Sequence, residues 1–97
     1  MVKKVFTIYD KKAFVYGPPV CFGKVGEALR WFCDIIAEPQ GTVGKYPDDF
    51  QLYELGEYDD NTGSILTALP HMVANASEYK TKAPVVYEPA ATDPKEK

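Results

Sequence analysis

The first apolar run of the chain, Lys4 to Tyr9, is rich in β-branched and aromatic residues. Ala13 to Tyr16 repeats that character after a break at Asp10-Lys11-Lys12. This pattern predicts a β-hairpin. Asp10 suits the first position of a type I turn, because its carboxylate can accept a backbone N–H two residues on. Gly17-Pro18-Pro19 is expected to stop the second strand, since neither proline can donate to a ladder.

From Val25 to Ile36 the period changes. Val25, Ala28, Leu29, Phe32, Ile35 and Ile36 recur at helical spacing, with Glu27, Arg30, Asp34 and Glu38 on the other side. One amphipathic helix packed on a sheet is predicted, closed by Pro39, with Trp31 and Cys33 on opposite edges of its apolar stripe. Gln40 to Tyr46 reads as a loop and Pro47-Asp48-Asp49 as a single helical turn. Phe50 to Tyr58 resumes strand character, Asp59-Asp60-Asn61-Thr62-Gly63 is a turn, and Ser64 to Leu69 is the returning strand. Met72 to Lys80 fits either a short helix or an extended arm. The fold class expected is α+β, a mainly antiparallel four-stranded sheet in the order β-β-α-β-β with one helix across a face. Phe6, Ile8, Leu29, Phe32, Ile36, Leu52 and Leu55 are the expected core between helix and sheet.

Ninety-seven residues suffice for one domain. We expect it to occupy residues 1–80, with 81–97 a tail spaced by Pro84, Pro89 and Pro94, in which Val85-Val86-Tyr87 could pair with a sheet edge. Hydrophobic content of 45% and charged content of 26% are those of a globular chain. No run is apolar enough for a signal peptide or a membrane span, so a cytoplasmic protein is expected. Cys21 and Cys33, unclustered, read as small buried hydrophobes. The net charge of −3 argues against coating nucleic acid by bulk electrostatics. Its distribution is uneven: residues 1–24 carry five lysines against Asp10, whereas residues 48–60 carry six acids and no base. Either this is ordinary solvated surface, or the molecule has a basic end for anions and an acidic end for a basic partner.

Chemistry is largely excluded. His71 is the only histidine and lies far from both cysteines, so neither a zinc cluster nor a histidine-based triad has workable spacing. In a calcium loop starting at Asp59 the glycine would fall one place early and the closing acid would be Pro70. The pairs Asp48/Asp49 and Asp59/Asp60 are sequence neighbours, which seldom converge on one reacting atom. No glycine run precedes Lys-Ser/Thr as a phosphate loop does. A non-enzymatic protein without cofactor or metal is expected. One constellation remains: Phe6, Tyr9, Phe14 and Tyr16 interleave with Lys3, Lys4, Lys11 and Lys12, rings for base stacking and ammonium groups for phosphates. Core packing accounts for at least half of those rings equally well. The DNA-binding candidates are Lys11 and Lys12 at the hairpin tip, Lys4, and Tyr9 and Tyr16 as stacking groups.

Phe6-Thr7-Ile8-Tyr9-Asp10, Lys12-Ala13, Gly26-Glu27-Ala28-Leu29-Arg30-Trp31-Phe32, Tyr46-Pro47-Asp48-Asp49-Phe50 and Leu52-Tyr53-Glu54-Leu55-Gly56-Glu57-Tyr58-Asp59-Asp60 occur in that order. Together they resemble the small nonstructural protein of gokushovirus-type microviruses, single-stranded-DNA phages, over residues 4–69. The resemblance implies a non-virion accessory protein in the host bacterial cytoplasm, associated with DNA during genome replication or packaging. It transfers no catalytic motif. The alternative is a protein-interaction module that engages the phage replication protein or a host factor through the acidic second hairpin, without direct DNA contact. Aromatic residues at 13% of the chain exceed what one helix covers, so a homodimer is expected; a monomer would need residues 40–49 and 72–87 to shelter the second sheet face.

Overall fold

Alternation along the first strand sends Phe6 and Ile8 to one side and Thr7 and Tyr9 to the other, and the layers follow from that division. The computed structural model describes residues 1–82, with side chains described through Lys80. The elements are β1 (Val2–Asp10), β2 (Val15–Tyr16), β3 (Val20–Phe22), α1 (Val25–Ala37), α2 (Thr42–Lys45), a 3₁₀ turn over Pro47–Asp49, β4 (Phe50–Asp59), β5 (Ile65–Asn75) and α3 (Ala76–Lys82). The sheet is antiparallel in the order β2-β1-β4-β5, and β3 pairs with β1 along the same edge as β2. The α+β class and the sheet with a helix on one face are as expected. Beyond the last two residues of α3, the tail and its Val85-Val86-Tyr87 run lie outside the described residues.

Three local expectations are corrected. The prolines interrupt the second strand rather than end it. Tyr9 and Asp10 pair with Tyr16 and Val15, and Lys4, Val5 and Phe6 pair with Phe22, Cys21 and Val20, so one edge strand resumes after Gly17-Pro18-Pro19 with its register shifted. An edge tolerates this because a missing N–H there leaves no central ladder broken. The return strand runs past Leu69 to Asn75, accommodating Pro70 where its register against β4 shifts between Glu54 and Gly56. Met72 to Lys80 is therefore strand first and helix second. The loop after Pro39 also contains the short helix α2.

Phe6, Ala28, Phe32, Ile36, Leu52, Phe50, Ala74 and Ala76 form the buried core, with Ile8 and Leu29 packed half-buried at its rim. Ala28, Phe32 and Ile36 are one face of α1 at four-residue spacing. Glu27 Oε1 accepts the Lys24 N–H at 3.0 Å at the start of the helix, and Glu38 turns extended before Pro39 at its end. The Tyr79 ring of α3 meets Phe32 edge-on at 6.5 Å. Leu55 is not in this core. It lies where the β1–β4 register shifts and lines a cleft with Val5 and Cys21 on the other sheet face. Cys21 is accordingly exposed, not buried.

Length decides what the helices cover. Thirteen helical residues extend about 20 Å, whereas ten strand residues extend about 33 Å. The β4–β5 hairpin therefore outruns the helix layer, and the described residues span 57 × 29 × 19 Å. Every residue from Asp60 to Met72 is exposed.

Antiparallel pairing of β1 with β4 also folds much of the basic segment onto the acidic one. Lys3 lies 3.8 Å from Asp60 and Lys4 3.5 Å from Glu54, so the expected separation into a basic and an acidic end does not hold for these residues. The Met1 amino group donates to Asp60 Oδ1 at 2.7 Å, which is the main cause holding the Asp60 carboxyl below its ordinary value of 3.8. Since the folded value is the lower one, the contact contributes at neutral pH and is lost as pH falls below 3.8 through the folded value. An NMR titration of Asp60 with a midpoint at or above 3.8 would contradict the contact.

Candidate functional site

On the face opposite Phe6 and Ile8, strand alternation places Tyr9 of β1 and Tyr53 of β4, since Leu52 beside it points into the core. Tyr16 pairs with Tyr9 across the edge of the sheet. The three rings form a closed cluster. Tyr9 and Tyr16 centroids are 4.4 Å apart, Tyr9 and Tyr53 5.6 Å, and Tyr16 and Tyr53 5.5 Å at nearly a right angle. Thr7 is fully buried beside them, and its hydroxyl, satisfied there by donating to the Gly17 carbonyl at 2.7 Å, fastens the interrupted edge strand to β1. Helices α1, α2 and α3 and the 3₁₀ turn pack against one another on the other face. The tyrosine face is open among the described residues, and Tyr16 is 45% exposed.

The lysines stand one turn away. Asp10 Oδ1 accepts the Lys12 N–H at 2.9 Å and the Ala13 N–H at 3.2 Å, forming the expected turn, and the Lys11 N–H donates to the Asp49 carbonyl at 2.8 Å. Both lysine side chains are exposed, and neither enters a salt bridge among the described residues. Phe14 completes the tip with φ of 58° and 82% exposure. A bulky residue in that conformation carries strain.

Tyr9 and Tyr16 are thus brought together at the end of the sheet whose turn carries Lys11 and Lys12, but Lys12 lines a pocket with Thr42, Tyr46, Asp49 and Phe50 on the helix-layer side. Lys4 is not at that end. It shares the face of Phe6, is paired with Glu54, and sits six strand residues from Asp10, about 20 Å along β1. Phe6 is core. Tyr53, absent from the sequence-derived set, belongs to the cluster, and the signal was its position next to an inward Leu52.

No metal site is assembled: among the described residues no three His, Cys, Asp or Glu side chains come together in a way that could hold an ion. His71 Nε2 lies 3.7 Å from Glu54 Oε1 at an exposed position. Among the same residues no helix is long and apolar enough to cross a membrane.

A family model described as Phage ORF5 protein matches residues 3–79. The chain belongs to the phage ORF5 protein family. It is a phage protein, and the matched span runs from β1 into α3, so it takes in the tyrosine cluster, the lysine tip and the whole core. No curated protein and no solved structure matches this ORF5-family chain significantly.

Proposed function

We propose that this ORF5-family protein is a non-catalytic accessory factor of gokushovirus-type microviruses that binds single-stranded DNA during genome replication and packaging in the host bacterial cytoplasm. The observation that supports this most is the open sheet face on which Tyr9, Tyr16 and Tyr53 cluster, at the end of the sheet whose exposed turn carries Lys11 and Lys12, neither in an ion pair among the described residues. Unstacked bases find π-surfaces there and the backbone phosphates find cations, whereas duplex DNA keeps its base faces covered. With two principal lysines the electrostatic share is small. Affinity should fall with salt at a logarithmic slope of about −0.7 per phosphate neutralised, so about −1.4 for two.

Titration of a labelled oligonucleotide by fluorescence anisotropy at several salt concentrations tests the reading. Tyr16→Ala should weaken binding by about 1–3 kcal/mol, the usual worth of one base stacked on a ring. Lys11→Glu with Lys12→Glu should abolish the salt dependence. Binding unchanged in the double variant would place the contact elsewhere. No binding even at low salt would leave the alternative, a module for a phage replication protein or a host factor. That alternative draws little from the acidic hairpin, whose Asp59 and Asp60 already face the Met1 amino group.

A further inference from the structure

The outer edge of β5 is exposed where the hairpin outruns the helices. Ile65, Leu66 and Leu69 are 66%, 65% and 88% exposed, and no residue from Ser64 to Pro70 carries a charge. Edge strands are ordinarily protected from pairing by charged side chains, proline or a covering segment. Here Pro70 comes only at the end of the run. We propose that two copies of this chain associate through this edge, pairing Ile65–Leu69 antiparallel with the same segment of a second copy about a two-fold axis at Thr67.

Backbone hydrogen bonding at the hairpin end determines which groups point outward. The Asp59 N–H donates to the Ser64 carbonyl at 2.9 Å, and the Gly63 N–H donates to the Asp59 carbonyl at 2.8 Å, with Gly63 at φ of 78°. From this narrow pair the register continues as Tyr58 with Ile65, Glu57 with Leu66 and Gly56 with Thr67. Hydrogen-bonded and non-hydrogen-bonded pairs alternate in an antiparallel ladder. The Ser64 carbonyl and Leu66 therefore bond inward to β4, while Ile65 and Thr67 turn their N–H and C=O outward. Beyond Thr67 the register shifts, and Ala68, Leu69 and Pro70 stand opposite the single Leu55, outside the regular β4 ladder.

A two-fold axis at Thr67 matches these groups to themselves. Thr67 faces Thr67 of the second copy, and Ile65 faces its Leu69, the most exposed apolar side chain of the strand. Self-pairing brings no like charges together, which a charged edge would forbid. Beside Ile65, a cleft of about 410 Å³ lined by Val5, Cys21, Leu55 and Tyr58 extends the apolar surface on the open face. Residues 40–49 and 76–82 belong to the helix layer, so neither shelters this edge. An axis relating antiparallel edge strands stands normal to the sheet, and both tyrosine clusters then look to the same side. The association goes beyond the proposed DNA contact and does not depend on it.

Five paired residues per copy make a small interface, for which association in the micromolar range is expected. Light scattering on the full chain without DNA should show a mass rising with concentration towards twice the 10.8 kDa of one chain. Thr67→Pro removes an outward N–H and no ladder bond to β4, and Leu69→Lys places a charge against its apolar neighbour. Each should hold the mass at 10.8 kDa while the protein still melts cooperatively. If Thr67→Pro does not fold, Leu69→Lys decides alone. A parent that stays at one chain's mass at all concentrations, as it would if residues 83–97 took this edge, overturns the proposal. So does a dimer that survives the substitutions.

Discussion

Phe32→Ala is expected to destabilise the protein by about 3–5 kcal/mol, the combined loss of a buried ring's transfer energy and of the contacts around the cavity it leaves. The ring is fully buried at the centre of the α1 face, between Ala28 and Ile36, and meets Tyr79 of α3 edge-on. It thus links two helices and the sheet. A chain of this size has on the order of 5–10 kcal/mol in total, so about a third or more of its stability rests on one side chain. In urea, with a slope near 1 kcal/mol per molar for a small domain, the midpoint should fall by about 3–5 M. A midpoint that does not move would contradict the orientation of α1.

Gly56→Val is expected to cost about 3 kcal/mol for a different reason. A Cβ at Gly56 would run into the Leu66 carbonyl oxygen and reach the Thr67 Cα at 3.1 Å, both backbone atoms of the neighbouring strand. Backbone in a ladder cannot move aside without separating the strands. Overpacking of this kind costs about 1–3 kcal/mol, and the φ of 156° adds strain for any side chain. Gly63→Ala is the control, because Gly63 also has a positive φ but nothing within 4 Å of an added Cβ. It should lose about 1 kcal/mol, the conformational share alone. Equal losses at the two positions would mean that β5 does not approach β4 as closely as this. Hydrogen exchange at Glu57 and Leu66 should accelerate in the Gly56 variant only.

Much of the fold was legible from local rules. The helix from Val25, the stop at Pro39, the turn at Asp10 and the turn ending in Gly63 each depend on the residues' own periodicity, backbone limits or short side chains. Part of the site followed as well. Lys11 and Lys12 belong to a turn, and a turn tip is exposed wherever its hairpin lies. Lys4 was misplaced because strand residues alternate sides, and its sequence distance from Lys11 says nothing about which side is open. Leu55 was counted as core although it stands three residues from the inward Leu52, and alternation alone turns it to the opposite face, where it lines the cleft with Val5 and Cys21.

By itself, then, the sequence determined β1, α1, the 3₁₀ turn, β4 and the start of β5, the inward direction of Phe6, Phe32 and Leu52, and the exposure of the two turns, since all of these rest on interactions within a few residues. The strand β3, the helix α2 and the run of β5 past Leu69 came only with the fold. Tertiary structure alone decided that Tyr53 joins Tyr9 and Tyr16 from 37 residues beyond Tyr16, that Lys3 and Lys4 are taken by Asp60 and Glu54, and that β5 keeps an uncovered edge. Those outcomes depend on which strands pair and in what register, and on a 13-residue helix lying against a longer hairpin. Lengths and registers of separate segments meet only when the chain is folded.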